Sequence, residues 1–191
     1  MLAEKIRIAL RYQPAVSSSR YDNLPKAAVC MILRPKNTNQ GLDILLVKRK
    51  ISESDPWSGH MAFPGGRAKE NDGELLNTAR REVIEETGVD MRTIELLGSL
   101  EDVLPGNKSL RVTPFVAIAP ESIKVIVNGN EITDYVWIPL DFFMNKNNST
   151  PMNAKRFGFD HIVKSYRYGE SYVVWGMTLR IIDELLSVIS R

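Results

Sequence analysis

Two apolar runs open the regular part of this chain, Ala27-Ala28-Val29-Cys30-Met31-Ile32-Leu33 and residues 42 to 48. Short, continuous and rich in branched side chains, they read as paired strands. Arg34 to Gly41, rich in Asn, Pro and Gly, is the expected loop between them. From Leu75 to Thr87 the rhythm becomes helical. With Val83 at the centre, Leu76, Ala79 and Ile84 fall on or near an inward arc, while Leu75 borders the sector of the acids Glu82, Glu85 and Glu86. Residues 94 to 100, 112 to 119, 123 to 127 and 134 to 138 supply further strand-like runs, and Asn145 to Asn153 reads as a polar loop. Gly176 to Ile189 predicts a closing helix with Leu179, Ile182, Leu186 and Ile189 turned inward. Met1 to Tyr12 alternates Leu2, Ile6, Ala9 and Leu10 with charges, which predicts a short amphipathic helix ended by Pro14. With no repeat and no dividing linker, residues 1–191 read as one α/β domain, with an N-terminal helix and linker over 1–24 and a core over 27–190.

Composition narrows this picture in a few places. A hydrophobic content of 43% over 191 residues is enough for a real core. The net charge of +2 argues against a dedicated nucleic-acid binder. Cys30, alone in an apolar run, predicts a buried inert thiol, and with only His60 and His161 beside it a zinc cluster is not expected. Charges interrupt any apolar core of an N-terminal signal. The transit-peptide features Arg7, Arg11, Arg20 and Ser17 to Ser19 are opposed by Glu4 and Asp22. No stretch is long and apolar enough to cross a bilayer. The expectations are a cytoplasmic protein, no membrane partner and no nucleic-acid partner.

Candidate chemistry concentrates in Arg81-Glu82-Val83-Ile84-Glu85-Glu86-Thr87-Gly88-Val89, which follows a Phe63-Pro64-Gly65-Gly66 turn. At roughly 100° per residue, Glu82, Glu85 and Glu86 share one sector of a helix. Like charges so placed repel each other, and a hard cation such as Mg²⁺ or Mn²⁺ compensates them. The alternative is a solvated helix face; Gly88 at the helix end and the upstream glycine pair weigh towards the metal site. Other motifs fail. Gly106-Asn107-Lys108-Ser109 lacks the spacing of a phosphate-binding loop, and Ser58 with His60 lacks a nucleophile elbow. Trp57, Phe63 and Trp137 could stack on a base, but packing is the expected fate of each.

These residues resemble the Nudix hydrolase signature, G-x5-E-x7-R-E-U-x-E-E-x-G-U with U bulky and aliphatic. Arg81, Glu82, Val83, Glu85, Glu86, Gly88 and Val89 match its second half. In the first half Asp72 replaces the Glu after Gly66, and eight residues rather than seven separate it from Arg81. That one-residue expansion is similar to the coenzyme A pyrophosphatase branch. So are Leu45 to Arg49, Ser58 to Gly66, Leu100 to Pro105, Arg111 to Val116, Glu131 to Leu140 and Val174 to Thr178. Asp55 and Trp57 depart from the Arg and His that the branch carries before its glycine turn.

The resemblance implies a Nudix fold, a mixed sheet sandwiched between helices, and metal-assisted hydrolysis of a pyrophosphate bond. Such a bond needs charge neutralisation and an activated water rather than a protein nucleophile. Glu82 and Glu86 are expected to bind the principal Mg²⁺ or Mn²⁺, with Glu85 on a second ion or a metal-bound water and the Gly65 carbonyl in the inner shell. Arg81 is expected to hold helix and loop together by pairing with Asp72 or Glu74. Glu131 is the first candidate for general base, Glu85 the second, and Glu101 or Asp102 the third. Arg49 and Arg67 are candidate diphosphate contacts, against an alternative of plain surface charge. The implied partner is a small-molecule nucleoside diphosphate derivative, with coenzyme A or acyl-CoA first. ADP-ribose, nucleotide sugars, dinucleoside polyphosphates and damaged nucleoside triphosphates stay open, as does a non-catalytic nucleotide sensor. A homodimer is the expected assembly if the chain is not monomeric.

Overall fold

The computed structural model describes residues 2–11, 23–36, 41–51, 59–106, 109–155 and 160–190. The expectations for Tyr12, Pro14, Ser17 to Arg20, Asp22, Asp55, Trp57, Ser58, Asn107 and Lys108 concern residues outside that set. Among the described residues no helix is long and apolar enough to cross a membrane.

Strand β1 (Lys26–Pro35) is the hub. It runs parallel to β6 (Arg111–Ile118) from Lys26 to Leu33. On its other edge it is antiparallel first to β4 (Gly65–Arg67), through Ala27 to Val29, and then to β2 (Leu42–Arg49), through Leu33 to Pro35. Strand β2 also pairs with β3 (Met61–Ala62) and β7 (Ile132–Pro139), while β5 (Glu95–Ser99) closes the far side on β6. The result is the mixed α/β sheet of the sequence reading, with seven strands.

Alternation along β1 divides the core into two layers. Val29, Met31 and Leu33 join Ile6 and Leu10 of α1 (Leu2–Arg11) and Leu179 and Ile182 of α4 (Gly176–Val188). Ala28, Cys30 and Ile32 face the other way, onto Ala79 and Val83 of α2 (Leu75–Thr87). A strand buried on both faces has no polar side, which is why its sequence reads as one unbroken apolar run. Cys30 is fully buried, and desolvation pushes its thiol far above the ordinary range, as an inert core residue requires.

Four expectations are corrected. Residues 123–127 form no strand: Val125 is buried while Ile126 is exposed, but the Ile126 N–H donates to the Thr87 carbonyl at 2.9 Å. The alternation is real, and its backbone serves a helix end instead of a ladder. Ile84 is 45% exposed, because the buried arc of α2 turns towards Glu82 and Glu86 instead. In α4 the deepest side chains are Leu179, Ile181, Ile182 and Leu185, with Leu186 and Ile189 only partly covered. Asn145 to Asn153 is not all loop, since Ser149–Asn153 forms β8 after the short helix α3 (Leu140–Met144). Strand β8 joins β9 (Ile162–Tyr168) and β10 (Tyr172–Trp175) in a second, three-stranded sheet. Tyr166 anchors that sheet, buried among Phe142 and Phe143 with its hydroxyl donating to the Phe143 carbonyl at 3.1 Å.

Candidate active site

The glycine pair after Pro64 is wedged between β1 and α2. A Cβ on Gly65, whose φ is +153°, would lie 2.4 Å from the Ala28 carbonyl oxygen. A Cβ on Gly66 would lie 2.5 Å from Oε1 of Glu82. The first position excludes a side chain because backbone blocks it, and a side chain at the second would displace the Glu82 carboxylate. The Gly65 N–H donates to Oε2 of Glu86 at 3.0 Å, so the turn itself orients the second acid.

Helix α2 begins without a side-chain cap from Glu74. Asp72 instead ties the helix to the preceding loop through side chains. Its carboxylate accepts from the Lys69 N–H and the Thr78 hydroxyl, each at 2.9 Å, and receives a fork from Arg81 through Nε and Nη2, also at 2.9 Å. Arg81 and the Lys69 amide hold this carboxyl well below the usual carboxylate range. Between the two partners expected for Arg81, the structure selects Asp72, across the expanded loop. The same guanidinium donates to the Arg67 carbonyl at 3.1 Å, to Oε1 of Glu82 at 2.6 Å and to Oε2 of Glu85 at 3.3 Å. Gly88 ends the helix at φ +68°, donating to the Ile84 carbonyl at 3.0 Å.

Burial separates the acids that the helical wheel grouped together. Glu82 and Glu86 retain 8% and 2% exposure, whereas the Glu85 side chain is 48% exposed. Desolvation pushes Glu86 up to about 7; the Gly65 amide and Arg49 oppose the shift, and the charges of Glu82 and Glu131 reinforce it.

A cavity of about 700 Å³ opens over this floor. Glu82, Glu86 and Glu131 line it with Gly65 and Gly66, and Arg49 and Arg67 line it as well. Leu110, Val163 and Met177 give it an apolar share, and Trp175 meets His60 edge to face at 4.9 Å. Arg180 on α4 also lines it, donating to the Leu104 carbonyl at 2.7 Å. Glu85, Glu101 and Asp102 are not among its described lining residues. The Glu101 N–H instead donates to Glu184 at 2.6 Å, and Asp102 pairs with Arg111 at 3.2 Å. Phe63 lines the cavity but is only 4% exposed, and Trp137, with the Arg34 guanidinium 4.2 Å from its ring centroid, is not among the described lining residues.

The donor set suits a hard divalent cation. Two buried carboxylates that repel each other, beside a turn with no side chains, offer oxygen ligands and a gain on neutralisation. Among the described residues no three His, Cys, Asp or Glu side chains converge as a complete cage. Mg²⁺ characteristically takes one or two carboxylates and completes its shell with other oxygens, substrate phosphates included.

Sequence reasoning missed Asn128, which bonds to both α2 and the Glu131 segment, although Asn128-Gly129 is a turn signal. It also missed His60, Trp175 and Arg180 as cavity residues, since only the fold brings their distant segments together.

The chain is similar to known proteins in sequence and fold. The model of the NUDIX domain family matches residues 24–157. Over 167 residues the chain is 32% identical to NudL of Yersinia pestis, described as an uncharacterized Nudix hydrolase, covering 86% of this chain and 80% of that one. A mutT/nudix family protein from Listeria innocua superposes with a TM-score of 0.56 at 17% identity, covering 87% of this chain and 94% of the other. An Ap4A hydrolase from C. elegans, crystallised as a binary complex, gives 0.51 at 19% identity over 62% of this chain and 82% of that one.

Proposed function

The chain belongs to the Nudix hydrolases, enzymes that act on pyrophosphate bonds, and from that premise we propose that it cleaves the diphosphate of a nucleoside diphosphate linked to another moiety. Coenzyme A or an acyl-CoA is the substrate proposed first, on the strength of the expanded loop between Gly66 and Arg81. The observation that carries the reading is the pair Glu82 and Glu86, buried side by side on the floor of a 700 Å³ cavity whose lining also holds Arg49 and Arg67.

A Mg²⁺ or Mn²⁺ ion held by Glu82, Glu86 and the Gly65 carbonyl would neutralise diphosphate charge and acidify a water. The protein's own residues do the rest. Arg49 and Arg67 offer guanidinium forks to the diphosphate oxygens and fix its direction in the cavity. Glu131 takes the proton of the attacking water; it lines the cavity and its charge is felt at Glu86. Arg81 binds no substrate in this scheme. It locks Asp72, the Arg67 carbonyl and Glu82 into one unit, so that the turn and the helix keep their relative position. Glu85, exposed beside Arg81, would help to hold a second ion or a water of the metal's shell.

The test is incubation with Mg²⁺ and a panel of CoA, ADP-ribose, UDP-glucose, diadenosine polyphosphates and oxidised dGTP, with products followed by mass. Cleavage of CoA between its two phosphorus atoms at the highest kcat/KM is the expected result. Cleavage of another member would move the substrate within the class, and binding without turnover on every member would favour a nucleotide sensor.

A further inference from the structure

Glu131 is exposed and sits in a loop, a poor place for a group that must meet one water in one orientation. What surrounds its backbone is better built than the exposure suggests. The side-chain oxygen of Asn128 accepts three amides in the same short stretch, from Asn130 at 3.1 Å, Glu131 at 3.2 Å and Ile132 at 3.3 Å. Gly129, at φ +70°, gives the reversal that folds them onto one acceptor. On its other side the Asn128 carboxamide nitrogen donates to the Glu85 carbonyl at 3.0 Å, one of the last α2 carbonyls, which need partners from outside the helix. From the far side, Lys50 N–H donates to the Glu131 carbonyl at 2.8 Å, one residue beyond Arg49.

We propose that Asn128 is a positioning residue that ties the Glu131 loop to the C-terminal turn of α2, and so sets the proton acceptor in register with the metal-binding carboxylates of that helix. The inference rests on the reading of Glu131 as general base. An Asn before Gly commonly organises its own turn, and the three accepted amides alone would be only that. The bond to Glu85 exceeds it. It leaves the loop for the helix that carries Glu82 and Glu86, and a turn-forming residue has no need of it.

The experiment is a double-mutant cycle in kcat on the preferred substrate of the panel, with Asn128→Ala, Glu131→Gln and the double variant. Asn128→Ala is expected to lower kcat about tenfold with KM within about twofold, and to cost less than about twofold once Glu131 is already Gln. Asn128→Asp keeps the acceptor for the loop and removes the donor to Glu85. It is expected to be slow as well, and it keeps the idea testable where the alanine variant fails to fold. Equal losses in both Glu131 backgrounds, or an Asn128→Asp enzyme at the wild-type rate, would overturn the role of Asn128. A Glu131→Gln enzyme at the wild-type rate would instead remove Glu131 as base, and with it the residue through which Asn128 acts.

Discussion

Helices α2 and α4 have 13 residues each and cover opposite layers of the core beneath β1, yet they are held in different ways. Helix α4 buries Leu179, Ile181, Ile182, Leu185 and Val188, side chains that each contribute on the order of 1.5–3 kcal/mol when removed from water. Helix α2 buries only Ala79 and Val83 of that kind; Thr78, Glu82, Glu86 and Thr87 fill the rest of its inward arc. Polar groups replace grease on the helix proposed to hold a cation. What α2 loses in apolar contact is offset by directed bonds: the Arg81–Asp72 fork, the Gly65 amide on Glu86, and the Ile126 and Asn128 donors at its C-terminal end. Changes on α2 should therefore cost function before stability, and changes on α4 the reverse.

Glu86→Gln is the strongest way to sharpen that contrast. It should lower kcat by at least a factor on the order of 100 while leaving the metal-free melting temperature unchanged or higher, because it removes a buried charge. A near-wild-type rate would remove Glu86 from the metal shell. Ile182→Ala is the mirror experiment, expected to cost about 2–5 kcal/mol in denaturant titrations while the folded fraction keeps its kcat and KM. Arg81→Lys keeps the charge and loses the fork onto Asp72, so activity should fall about 10- to 100-fold through the loosened turn. An unaltered rate would show that the bidentate pair is ornamental.

The pH response follows from Glu86, whose carboxyl is raised by burial from its ordinary value to about 7. A raised acid stabilises the fold fully below its unfolded value, and that contribution is lost as pH rises through the folded one. Asp72, held low by Arg81, is ionised throughout this interval and adds no slope there. The metal-free protein should thus melt lower at pH 8 than at pH 5 by more than Glu86→Gln does, and saturating Mg²⁺ should shrink the difference. Identical slopes in the two proteins would contradict the assignment. Glu85→Gln should have the smallest effect, about tenfold or less on kcat, in keeping with its exposure. A loss equal to that of Glu86→Gln would make Glu85 as essential as the buried pair and contradict its peripheral role.

The helix with the most chemistry was also the most legible. Its bounds, Leu75 to Thr87, its Gly88 end and the adjacent glycine turn all follow from residues whose roles are local. The helical wheel failed at Ile84, placed on or near the inward arc but 45% exposed, and in grouping the exposed Glu85 with its buried neighbours, since a wheel shows angle and not depth. The second sheet escaped notice because β8 and β9 carry polar and exposed residues that no core-facing pattern marks, with Tyr166 as their main anchor. Residues 123–127 show the converse error: correct alternation with no strand beside it, because the chain had a helix end to satisfy. Cavity residues from distant segments, such as His60 and Arg180, depend on tertiary contacts that sequence spacing does not encode.

Anomalous diffraction from crystals soaked in Mn²⁺ tests the central claim most directly. A peak within about 2.0–2.3 Å of oxygens from both Glu82 and Glu86 is the predicted result. A peak elsewhere, or none while the two carboxylates stay side by side, would contradict the account.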